Sequence, residues 1–202
     1  MNFLSKAIPQ QEPSCLKIAH TDPDIYSAIT HRLLFYFART RPETPFVIVC
    51  VGTDRSTGDS LGPLVGTALA RFRSPLFHLY GTLDEPVHAV NLEETLEQIH
   101  KDHENPFVIA IDACLGHSGS VGSIQVIDGP LRPGAGVNKQ LSPVGDIHLT
   151  GIVNVGGFME YFVLQNTRLS LVMRLSDIIA VSLYSALKQW KLHARSAATR
   201  EQ

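Results

Sequence analysis

Two aspartates carry the chemistry that this sequence suggests first. Asp59 lies in Gly52-Thr53-Asp54-Arg55-Ser56-Thr57-Gly58-Asp59-Ser60-Leu61-Gly62-Pro63, directly after the apolar run Phe46-Val47-Ile48-Val49-Cys50-Val51. Asp112 closes a second apolar run, Phe107-Val108-Ile109-Ala110-Ile111, and opens Ala113-Cys114-Leu115-Gly116. Two carboxyls held close together cannot both ionise cheaply, so one stays protonated and the other charged. Such a pair can take a proton from water and return one to a leaving amine, which is acid-type peptidase chemistry. With a histidine added, the same carboxylates can instead bind a divalent metal.

Both aspartates have plainer readings. Asp59 could cap the helix that follows. Pro63 weighs against that role, because it would then fall where the first intrahelical N–H bond is due, and proline has no N–H. A cap at Ser60, Leu61 or Gly62 places Pro63 among the free-donor positions, where it is tolerated. Asp112 could bond its own backbone in a turn. Among the histidines, His148 in Gly145-Asp146-Ile147-His148 is the best ligand candidate, ahead of His88 and His117. Cys114 reads as a structural thiol rather than a nucleophile.

Several familiar chemistries are missing. The glycine-rich loop 52–63 has neither dinucleotide nor P-loop spacing, and no lysine occurs between Lys17 and Lys101. No H-E-x-x-H or G-x-S-x-G pattern is present.

The elements that must position the aspartates follow from pattern. Runs 46–51 and 107–112 are short, β-branched and continuously apolar, as parallel strands buried on both faces are. Helices are predicted from Pro23 to Ala38, over 61–73, over 91–103, over 158–165 and over 169–190. Short strands are predicted at 77–82 and 121–127, with another inside 147–155. This alternation predicts an α/β fold: a three-layer α/β/α sandwich around a mostly parallel, doubly wound sheet. In such sheets ligands collect at the carboxyl ends of the strands, where both aspartates fall. Residues 129–157 hold seven Gly and three Pro, which suggests a functional loop. Residues 1–20 read as a flexible arm, 21–190 as one domain and 191–202 as a polar tail.

Composition narrows the classes. A chain of 202 residues with 44% hydrophobic residues can bury a sizeable core. A net charge of −2, with charged residues at 18%, suggests neither a nucleic-acid surface nor a polybasic membrane patch. No uninterrupted apolar stretch is long enough to predict a membrane span. Three cysteines without zinc spacing fit a reducing cytoplasm.

The two aspartate motifs, with Tyr80-Gly81-Thr82-Leu83-Asp84, Pro133-Gly134-Ala135-Gly136-Val137-Asn138-Lys139, Gly145-Asp146-Ile147-His148 and Gly151-Ile152-Val153-Asn154-Val155, resemble the YyaC family of sporulation proteins. The resemblance covers about residues 44–185. That family in turn is similar to the germination protease and to the hydrogenase maturation endopeptidases. It implies their doubly wound α/β fold and a sporulation-associated peptidase in the mother cell or forespore of a spore-forming bacterium. The protease's catalytic aspartates carry over onto Asp59 of Asp-Ser-Leu-Gly-Pro and Asp112 of Ile-Asp-Ala. The maturation enzymes use a corresponding acidic pair with a later histidine to bind nickel, which by order would be His148.

The expected partner is a protein or peptide substrate, with no nucleic acid and no membrane, no required cofactor, and a homo-oligomer open. Asp54, Arg55, Leu61 and Gly62, with Gly134, Gly136 and Asn138 of the long loop, are the candidates for its groove. Backbone with few bulky side chains lets an extended peptide approach. A non-catalytic protein that kept the fold and binds a peptide is the alternative.

Overall fold

A computed structural model describes residues 14–133 and 141–198. Six strands form one sheet: β1 (Cys15–Ala19), β2 (Phe46–Cys50), β3 (His78–Tyr80), β4 (Phe107–Gly116), β5 (Ser123–Asp128) and β6 (Ile147–Val155). The spatial order is β1-β5-β6-β4-β2-β3. The helices are α1 (Ile25–Phe37), α2 (Leu61–Ala70), α3 (Leu92–Asp102), α4 (Glu160–Gln165) and α5 (Leu169–Ala198).

The two apolar runs pair as parallel neighbours, with Val47 opposite Val108 and Cys50 opposite Ile111. Their side chains alternate between two cores. Ile48, Cys50, Ile109 and Ile111 face a core shared with Leu33 of α1, Leu61 and Val65 of α2, and Leu175 and Leu183 of α5. Val47, Val49 and Ala110 face the other side, against Leu92 and Ile99 of α3. This two-sided burial explains why both runs are apolar without alternation.

The sheet is mixed rather than mostly parallel. β3, β2, β4 and β6 run parallel, while β5 is antiparallel to both β6 and β1. The cause is the connection from β4 to β5, a short turn through Ser118–Ser120. A parallel return needs a crossover of about a dozen residues or more, and this link is too short for one.

Three boundaries also differ from expectation. Cys15–Ala19 is edge strand β1, with Leu16 opposite Val126, rather than part of an arm. β4 continues past Asp112 to Gly116 because β6 pairs with it that far. α5 carries helix through the expected tail to Ala198. Within α5, Leu169–Ala194 is long and apolar enough to cross a membrane by length and composition. Half of its most apolar window is buried inside the fold, where Val172, Leu175, Ile179 and Leu183 are core residues. That division is what a core helix shows.

Candidate functional site

Asp112 and Asp59 meet where β2 stops. The last β2–β4 pair is Cys50 with Ile111, and Val51 N–H still donates to the Ile111 carbonyl at 2.7 Å. Asp112 is the next residue of β4 and pairs only on its other side, with Thr150 of β6. On the vacated side the chain turns away at Gly52 and returns. Thr53 N–H donates to the Asp59 carbonyl at 3.1 Å, which closes the loop. Gly52 has φ +144°, and a Cβ there would overlap the Asp59 carbonyl oxygen, so only glycine lets the two strands of the loop cross this closely.

Asp59 does not cap α2. Ser60 occupies the N-cap, and its hydroxyl donates to the Thr57 carbonyl at 2.7 Å instead of accepting from the helix. Pro63 is then the third helical residue, where no intrahelical N–H is required. The Asp59 carboxyl is thus not spent on capping the helix.

Both aspartates are partly buried and keep some exposure to solvent. Burial is the largest influence on each and raises both carboxyls above the usual range. Asp112 is raised well above it, with the charge of Asp59 as the second cause and a bond from the Ala113 N–H as a partial offset. That bond, at 2.7 Å, is the local backbone contact of the plainer reading, but it occurs inside a strand rather than a turn. For Asp59, a Thr53 backbone bond and the charge of His88 pull downward. Both carboxyls are thus raised, Asp112 the further, and a charge on Asp59 opposes one on Asp112.

His88 is the histidine that the fold brings to Asp59. Val87 makes a parallel bridge to Val51, and Gly52 N–H donates to the Val87 carbonyl at 2.8 Å. His88 follows directly, with Asn91 Oδ1 accepting from its backbone N–H at 2.8 Å. The signal in the sequence was β-branched Val87, a single residue that prolongs the sheet. Ser56 also lies in this loop, with a buried hydroxyl that has no hydrogen-bond partner.

His148 is placed differently. It lies opposite Ala110, two residues before the Asp112–Thr150 pair, and its Nδ1 is 2.8 Å from the Gly129 carbonyl. Among the described residues no three His, Cys, Asp or Glu side chains are grouped to hold a metal ion. Asp59, Asp112 and His148 are not among such a group.

The groove residues divide in the same way. Asp54 and Arg55 are exposed on the loop, with Arg55 Nε donating to Thr53 Oγ1 at 3.3 Å. Leu61 is fully buried, and Gly62 is buried so tightly that a Cβ would overlap the Val51 carbonyl oxygen. Neither can line a groove, because both are needed to seat α2 on the sheet. Gly134, Gly136 and Asn138 lie outside the described residues. Cys114 is half-buried, and burial is the main cause that raises its thiol, which opposes a nucleophilic thiolate.

Two cavities lie elsewhere. One of about 190 Å³ is lined by Pro42, Phe46, Pro75 and Trp190. Another of about 550 Å³ is lined by Ile99, His103, Pro106 and Asp146, at the start of β4. Neither is lined by Asp59 or Asp112.

Comparison with known proteins agrees along most of the length. Residues 17–182 match the family described as a protein of unknown function, DUF1256. The chain is 55% identical to the "Uncharacterized protein YyaC" of Bacillus subtilis (strain 168) over 183 residues, which covers 91% of this chain and 89% of that one. With both aspartate segments inside the matched span, the chain belongs to the YyaC (DUF1256) family.

Proposed function

We propose that this protein is a sporulation-associated peptidase that cleaves a spore-related protein with Asp59 and Asp112 as its acid–base pair. The observation that supports it is the pair of raised carboxyls at the open end of β2, with burial and then the charge of Asp59 raising Asp112. Ionised Asp59 takes a proton from water as that water attacks the scissile carbonyl. Protonated Asp112 polarises the carbonyl oxygen and then supplies a proton to the leaving amine. Two carboxyls suffice for this cycle, so no cofactor is part of the reading. On this reading the helices on the two faces of the sheet make a three-layer sandwich like that of the hydrogenase maturation peptidases. The setting is the cytoplasm of the mother cell or forespore.

The experiment is incubation with purified small acid-soluble spore proteins across a range of pH, followed by mass spectrometry. Cleavage by the unaltered protein that is lost in Asp59→Asn and in Asp112→Asn supports the reading. Cleavage that persists unchanged in both variants, or no cleavage of any spore protein, rejects it.

A further inference from the structure

An exposed aromatic strip begins where β6 ends. Phe158 is 89% exposed, Tyr161 65% and Phe162 54%, with Met159 and Val155 also open to solvent. Tyr161 and Phe162 meet edge-on at 6.0 Å. Large apolar side chains exposed together mark an interaction surface. The backbone beside them is open too, since a Cβ on Gly157 would have nothing within 4 Å.

The strip is joined to the aspartate site by direct bonds. Gly58, the residue before Asp59, donates its N–H to the Leu164 carbonyl of α4 at 2.9 Å. The space beside Gly58, where a Cβ would go, is filled by Leu164 and Thr167. Asn154 Nδ2 donates to the Val163 carbonyl and to Thr167 Oγ1, both at 3.2 Å. α4 is thus one wall of the loop that carries Asp59.

Charge narrows the occupant. From Val155 to Thr167 there is no Lys or Arg, and the one charged residue is Glu160, whose Oε1 accepts from the Gly157 N–H at 3.4 Å. Membrane-surface helices carry several Lys and Arg on their polar face, whereas here the one neighbouring cation is Arg168, just past the strip. A strip of aromatics with a single charge, beside the open backbone of Gly157, suits an extended apolar polypeptide, whose side chains pack on the rings while its backbone meets Gly157.

We infer that Phe158, Tyr161 and Phe162 form a docking ledge for an extended apolar stretch of a protein substrate, whose adjoining residues then lie over Asp59 and Asp112. The inference rests on the peptidase reading and names the substrate class of that same site. The ledge residues set specificity and take no part in bond breaking.

The test uses two fluorescein-labelled peptides of equal length and charge, one with a central Leu-Phe-Val-Tyr and the other with Ser-Asn-Gln-Thr. Fluorescence anisotropy is read on the full chain carrying Asp112→Asn, which keeps the peptide whole. The apolar peptide is expected to bind about tenfold tighter, and adding Phe158→Ser and Phe162→Ser should remove that advantage. A Tyr26→Ser control on α1 should not. Equal binding of both peptides, or preference unchanged by the double replacement, overturns the ledge. So does a solution dimer that the replacement dissolves, which makes a second copy the occupant. Binding to phosphatidylcholine–phosphatidylglycerol vesicles that the replacement abolishes overturns it as well. Ledge-dependent binding without cleavage by the unaltered protein rejects the peptidase reading and leaves the ledge standing.

Discussion

Burial first, and then the charge of Asp59 across the gap left by the end of β2, raises the Asp112 carboxyl well above the usual carboxylate range. Asp112 lies in β4 and Asp59 in the loop that follows its parallel neighbour β2. Their meeting is therefore a consequence of the Cys50–Ile111 register.

Replacing either aspartate by asparagine should lower cleavage of a spore protein by about 10²–10⁴-fold, since an amide can neither take nor give the proton. Circular dichroism and thermal midpoint should show an intact fold. Single-turnover rates on a purified substrate are the measurement.

Stability should depend on pH through the same pair. Both carboxyls are raised in the folded state, so the folded chain holds more protons than the unfolded one between the two values. Their contribution to stability is fully present below the ordinary carboxylate range and is lost as pH rises through the raised values. Asp112→Asn removes a group that resists ionisation, so it should stabilise at neutral pH and do little near pH 4. In a domain of this size the thermal midpoint moves by about 2–4 °C for each kcal/mol. Melting curves of both proteins from pH 4 to pH 8 check the sign.

His88 should set the acid side of the activity profile. Its positive charge favours ionised Asp59. His88→Asn removes that help, so the carboxyl of Asp59 rises and the acid limb of kcat/KM moves to higher pH. The rate at the optimum should change much less than in the aspartate variants. A limb that stays in place, or moves to lower pH, contradicts this electrostatic role.

Gly62→Ala should destabilise although alanine is the better helix former by about 1 kcal/mol. The added Cβ would overlap the Val51 carbonyl oxygen, and Gly66 meets the Gly81 carbonyl in the same way one turn later. The net loss should be about 1–3 kcal/mol, the usual cost of forcing extra volume into a packed contact. Urea unfolding measures it.

Nickel should bind weakly if at all, and His148→Ala should leave any binding unchanged, because the His148 ring is engaged with the Gly129 carbonyl. Calorimetric titration with nickel and zinc reads this directly.

Much of this arrangement was legible in the residues. The unbroken Phe46–Val51 and Phe107–Ile111 runs announced buried parallel strands, and Pro63 weighed against Asp59 as the cap of α2. What was not legible depended on pairing. Cys15–Ala19 is too short to declare itself, and it becomes a strand only because Ser123–Ile127 lies beside it. Leu61 lies two residues from a catalytic candidate in sequence, yet the helix turns it fully into the core. His88 and His148 look alike in one dimension. Only the Val51–Val87 bridge and the Ala110–His148 register separate them.

The β1–β5 pairing has a consequence for how the chain is made. As the polypeptide emerges from its N-terminus, β2, β3 and β4 can associate early, but β1 must wait for a partner more than a hundred residues downstream. α1 waits longer still, since the face it covers is completed by α5. Such non-local closure slows folding and leaves apolar surface open in the interval. The apolar stripe of α1 thus stays open until α5 has been synthesised, an interval in which non-native association competes with folding.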